Sequence, residues 1–144
     1  MTAALRQPVR TLSLQQVPAR RTMHTALWIA QGILAVLFLM AGGIKTFAFD
    51  RFAQKMDWAR PMGRAKVAGI GLAELAGALG LVLPMALGIA EFLTPLAALG
   101  LAVVMVLGAA FHARRNEMPG VVPPVVVGAL AAWVAWGRWS LLGA

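Results

Sequence analysis

The run Gly32-Ile33-Leu34-Ala35-Val36-Leu37-Phe38-Leu39-Met40 carries no charge and no polar side chain. A membrane β-strand alternates apolar and polar residues because one face meets lipid and the other the barrel lumen. This run does not alternate, so of the two structures that satisfy their backbone groups inside a bilayer it selects the helix over the closed barrel. Extended outward, the segment stays oily from about Thr25 to Phe47, uncharged until Lys45. About 20 such residues cross a hydrocarbon core of roughly 30 Å. The same reading gives three further spans, about 67–90, 92–113 and 121–141. The expected fold class is therefore all-α: a four-transmembrane-helix bundle.

Composition agrees. Of 144 residues, 60% are apolar and 12% charged, with a mean hydropathy of +0.78. The charged share is about half that of an ordinary soluble domain. A small soluble domain leaves too much surface in water to hide this many apolar side chains. The absence of cysteine excludes disulfides, thiolate metal sites and thiol nucleophiles. No phosphate-binding glycine loop, Ser/His/Asp set or zinc spacing occurs. Bis-histidine haem fails too, because His24 and His112 fall at opposite ends of the spans.

Residues 1–24 hold four arginines, two prolines and no acid, a composition that predicts a disordered basic tail. Met23 leads straight into the first span and is an alternative start, which would leave the preceding residues untranslated. Between spans one and two, Asp50-Arg51-Phe52-Ala53-Gln54-Lys55-Met56-Asp57-Trp58 places apolar residues at 49, 52, 53 and 56. That stripe predicts a short interfacial amphipathic helix in the headgroup layer, ended by Arg60-Pro61-Met62-Gly63. Basic residues on the side of the first and third loops number eight: Lys45, Arg51, Lys55, Arg60, Arg64, Lys66, Arg114 and Arg115. Counted from Met23 the bias is eight against Arg138 alone, which puts these loops in the cytoplasm. Counted from Met1 it is eight against five, and the orientation stays open. The net charge of +8 fits anionic lipid headgroups and needs no nucleic acid.

Ionisable groups inside the slab are costly and turn toward protein. Glu74 lies about 10 Å into span two at 1.5 Å per residue. Connectivity places Lys45, Glu74 and His112 in the same half of the membrane, an expected intramembrane polar cluster. A Lys45–Glu74 pair would offset the desolvation of both charges. It either fixes the packing of spans one and two or faces a ligand such as a quinone head. His112 reads as a helix cap or as a ligand-facing group. Gly71, Gly77 and Ala78 surround Glu74, and Gly69, Ala73 and Gly77 form a small-xxx-small ladder for close helix approach. Pro84 is expected to kink span two. Pro123-Pro124 fit the first turn of span four. Trp133, Trp136, Arg138 and Trp139 read as interfacial anchors. No residue is assigned a catalytic role and no metal site is expected.

Ala26-Leu27-Trp28-Ile29-Ala30-Gln31 with Leu39-Met40-Ala41-Gly42-Gly43-Ile44-Lys45 resembles the first span of the DoxX-like membrane proteins. Gly71-Leu72-Ala73-Glu74-Leu75-Ala76-Gly77-Ala78-Leu79-Gly80-Leu81-Val82-Leu83-Pro84 resembles the second. The likeness continues through Ala110-Phe111-His112-Ala113-Arg114-Arg115-Asn116-Glu117 to Trp136-Gly137-Arg138, about residues 24–140 in all. It implies a four-helix integral protein, expected in the inner membrane of a bacterium. The family takes its name from subunits of quinone-linked oxidoreductases, and most of its members have no assigned activity. Three functions follow as expectations. One is an accessory subunit of a membrane redox enzyme, with quinone as the cofactor it touches. The second is a proton- or ion-coupled transporter whose pore needs a homo-oligomer. The third is a structural scaffold without a ligand.

Overall fold

The apolar spans become helices because only an internal hydrogen-bond ladder satisfies their backbones in oil. A computed structural model describes residues 16–143. The four long helices are α1 (Gln16–Phe47), α4 (Arg64–Leu87), α5 (Leu93–Arg114) and α6 (Met118–Leu142). All four are long and apolar enough to span a membrane, and no strand occurs among the described residues. Two short helices, α2 (Phe49–Lys55) and α3 (Ala59–Met62), lie between α1 and α4. Each long helix runs antiparallel to the next. One end of the bundle, the loop end, therefore carries α2, α3 and the α5–α6 turn. The other, the terminal end, carries the α4–α5 turn and the start and finish of the chain.

Three boundaries differ from expectation. Gln16 to His24 are the first turns of α1 and not disordered, while residues 1–15 of the expected tail lie outside the described residues. Pro18 sits in the first turn, where its missing N–H has no intrahelical acceptor to lose. The interfacial segment breaks in two: Met56 is extended and Ala59 N–H donates back to its carbonyl at 2.9 Å. α6 begins at Met118, so Pro119 takes the first-turn position and Pro123 and Pro124 fall inside the helix. Each of the two interior prolines deprives a preceding carbonyl of its in-helix donor. Pro84 is likewise inside α4, which runs only one more turn to a left-handed Gly88 whose N–H donates to the Pro84 carbonyl.

Close approach of α1 and α4 depends on Gly42 and Gly71. A Cβ on Gly42 would stand 2.6 Å from the Gly71 carbonyl, and one on Gly71 would stand 2.7 Å from the Gly42 carbonyl. The expected ladder of Gly69, Ala73 and Gly77 is not this seam. Gly69 and Ala73 are exposed on the neighbouring face, while Gly77 receives the Leu101 side chain of α5. The seam uses the register of Gly71, Glu74 and Ala78, all buried. Span two has two stripes of small residues, and the glycine facing α1 belongs to the second. The central core joins Leu27, Leu34 and Phe38 of α1 to Ala78 and Leu81, Ala98 and Leu101, and Ala131 and Val134.

Candidate functional site

At the loop end, α1 and α4 diverge from α5 and α6 around a cavity of about 940 Å³. This is the upper part of the size range of small-molecule sites. Its wall is mostly apolar, from Leu37, Phe38 and Ala41 on α1 to Pro123, Pro124 and Val127 on α6. The polar exceptions are Lys45, Glu74, Lys66, His112 and the Trp58 indole. Gly69 and Ala73, expected as packing residues, line this space instead. A smaller hollow of about 460 Å³ between α4 and α5 has only apolar walls, with no group to orient a ligand.

The three residues of the expected polar cluster all face the large cavity. Lys45 Nζ donates to Glu74 Oε1 as an ion pair. The seam explains the pairing: the Lys45 stem lies along the gap left by Gly71, its Cβ 2.9 Å from where a Gly71 Cβ would be, and reaches one turn deeper. The Glu74 side chain is 1% exposed and that of Lys45 14%. Glu74 Oε2 has no hydrogen-bond partner among the described residues, and neither has Trp58 Nε1. Two residues of the cavity wall thus each carry a buried, unmatched group, an acceptor on Glu74 and a donor on Trp58. Such groups are costly unless something pairs with them.

Trp58 was expected in the headgroup layer with the rest of the amphipathic segment. It turns inward instead, edge-on to Phe111 at 5.5 Å and to His112 at 6.2 Å. Phe52 packs on its other side at 5.4 Å. The break after Met56 is what frees the indole to swing under the bundle. His112 does not act as a side-chain cap. Its Nδ1 lies 2.7 Å from Glu117 Oε2, and Arg115 Nε donates to Glu117 Oε1 at 2.6 Å. These two neighbours hold the Glu117 carboxyl below the usual carboxylate range.

Arg138 corrects the anchor assignment. It is fully buried at the terminal end, where its Nε donates to Gln31 Oε1 at 2.6 Å and its guanidinium lies 5.1 Å over the Trp28 ring. Gln31 in turn donates to the Leu81 carbonyl. Gly137 makes room for the Leu27 side chain beside this cluster, which brings α6 hard against α1. Trp133, Trp136 and Trp139 stand exposed on α6. The sequence does not mark Gln31, Trp58, Lys66 or Glu117 as members of the polar cluster. For Gln31 the signal was available, a lone amide amid an apolar span.

Among the described residues no group of His, Asp and Glu side chains could hold a metal. The family model described as "DoxX-like family" matches residues 29–134. No curated protein and no solved structure matches the chain.

Proposed function

Starting from the fact that the chain belongs to the DoxX-like family, we propose that it is an accessory subunit of a quinone-linked redox system in the inner membrane of a bacterium. It holds the head of a quinone or quinol in the loop-end cavity. One observation carries this reading. A mostly apolar cavity of about 940 Å³ is lined by Glu74 and Trp58, whose carboxylate Oε2 and indole N–H are buried without a partner among the described residues. A quinone-class head offers carbonyl or hydroxyl oxygens to such groups, a flat ring to Trp58 and Phe111, and an apolar tail to the remaining wall. Lys45, bound to Glu74, keeps the carboxylate in place and completes a polar end to an otherwise apolar chamber. On this reading the protein binds and presents the head, and redox chemistry belongs to its partner.

Purification from membranes in a mild detergent, followed by mass spectrometry of extracted lipids and copurifying proteins, tests this. The expected result is retained quinone or quinol, with quinol retention falling about tenfold in Glu74→Gln by loss of one charge-assisted contact. Neither quinone nor a redox enzyme in the preparation would sink the reading. Full quinone retention by the swapped pair Lys45→Glu with Glu74→Lys would reduce those two residues to packing.

A further inference from the structure

The reading above leaves the His112 imidazole unused, although the ring forms part of the cavity wall. The α5–α6 turn is built around it. Asn116 takes a left-handed conformation (φ 57°), the chain reverses, and Glu117 Oε2 comes back to 2.7 Å from His112 Nδ1. Gly120 completes the fit, since a Cβ there would stand 2.7 Å from the same nitrogen. Trp58 and Phe111 flank the ring edge-on.

The chemistry of the two ring nitrogens follows. Glu117 receives Arg115 on its other oxygen and remains an ionised, acceptor-only group. Nδ1 must therefore carry the proton and donate it to Glu117. In a neutral imidazole the other nitrogen, Nε2, is then a bare lone pair. Nε2 makes no hydrogen bond among the described residues. The remaining charged groups of the cavity wall are Lys45 on α1 and Glu74 and Lys66 on α4; α6 contributes only apolar groups there. Lys45 pairs with Glu74 Oε1, and His112 adds to this wall a ring nitrogen whose role as acceptor is fixed by the contact of Nδ1 with Glu117.

We propose that His112, oriented by Glu117, selects the redox state of the cavity's ligand. Neutral His112 accepts a hydrogen bond from a quinol hydroxyl and opposes a quinone carbonyl, which is itself only an acceptor. Only hydrogen bonds are exchanged; no electron or covalent bond moves. The proposal rests on the quinone-class reading of the cavity.

The experiment is anaerobic equilibrium dialysis of detergent-purified protein against decylbenzoquinone, its quinol, and the quinol's bis-methyl ether, which lacks the hydroxyls. Preference for quinol over both other compounds is expected to be about tenfold. His112→Gln, whose amide both donates and accepts, should bind quinol and quinone equally. Glu117→Gln, whose amide can also donate to Nδ1 and so no longer fixes the tautomer, should weaken the preference. Equal binding of quinol and quinone by the unsubstituted protein, or a preference that survives in His112→Gln, overturns the selection and leaves the cavity reading standing. Failure of all three compounds to bind overturns both.

Discussion

The two ends of the bundle both bury polar side chains, and they do it in opposite ways. At the terminal end, Arg138, Gln31 and the Leu81 carbonyl form one chain of hydrogen bonds across α6, α1 and α4, with Trp28 stacked on the guanidinium. Gln31 and Arg138 are entirely enclosed. At the loop end, Lys45, Glu74 and His112 border open space. A sealed polar cluster specifies which helices meet, since a wrong pairing strands its members in oil. Among the described residues both clusters keep unpaired groups, Arg138 Nη1 and Nη2 at the terminal end and Glu74 Oε2 at the loop end, but the described cavity beside Glu74 gives a ligand room only there. Burial alone therefore does not mark a functional site; burial next to volume does.

Breaking the closed end should have the largest effect. Gln31→Leu leaves the Arg138 guanidinium without its acceptor and should cost about 2–3 kcal/mol, read as unfolding in detergent. Adding Arg138→Met should recover most of that loss, because an apolar pair removes the burden of a buried charge. Recovery without any change in quinone binding would confirm that the two ends do separate jobs. Gly71→Ala sharpens the contrast from the other side. Its Cβ would clash with the Gly42 carbonyl and the Lys45 stem, at about 1–3 kcal/mol. It should also displace Lys45 from Glu74, so that quinone retention falls further than in variants of the closed end with equal instability.

The smallest effect belongs to the α5–α6 turn and appears only in acid. Glu117 titrates below its ordinary value of 4.5 because His112 and Arg115 favour the carboxylate. A depressed carboxyl contributes stability above the unfolded value and loses it as pH falls through the folded one. The wild type should therefore lose stability below about pH 4.5 more steeply than Glu117→Gln, whose amide does not titrate. Parallel acid curves for the two proteins would remove the ion pairs at this turn from the molecule's electrostatics.

Much of this was legible in the chain. Four spans follow from hydropathy, and the observed helices begin and end within a turn of expectation apart from the start of α1. The Lys45–Glu74 pair follows from connectivity, which forces both into one half of the membrane. The rest depends on rotation about helix axes. Nothing local distinguishes the Gly69 stripe from the Gly71 stripe, two residues apart on the same helix. Arg138, flanked by Trp136 and Trp139, carries the composition of an interfacial belt, and only its angular offset from those tryptophans turns it inward. The His112–Glu117 contact needs the reversal at Asn116, a backbone event that no periodicity announces. Trp58 needed the break at Met56, where an amphipathic stripe suggested continuity.

Leu37 and Leu107 belong to the cavity wall and are themselves 45% and 65% exposed. In a bilayer, a chamber with so exposed an apolar wall would be supplied from the leaflet and not from water. Occupancy is then governed by how many guest molecules there are per hundred phospholipids, a figure indifferent to aqueous solubility. Long isoprenoid chains, which make such guests nearly undetectable in the cytosol, would here raise the local supply.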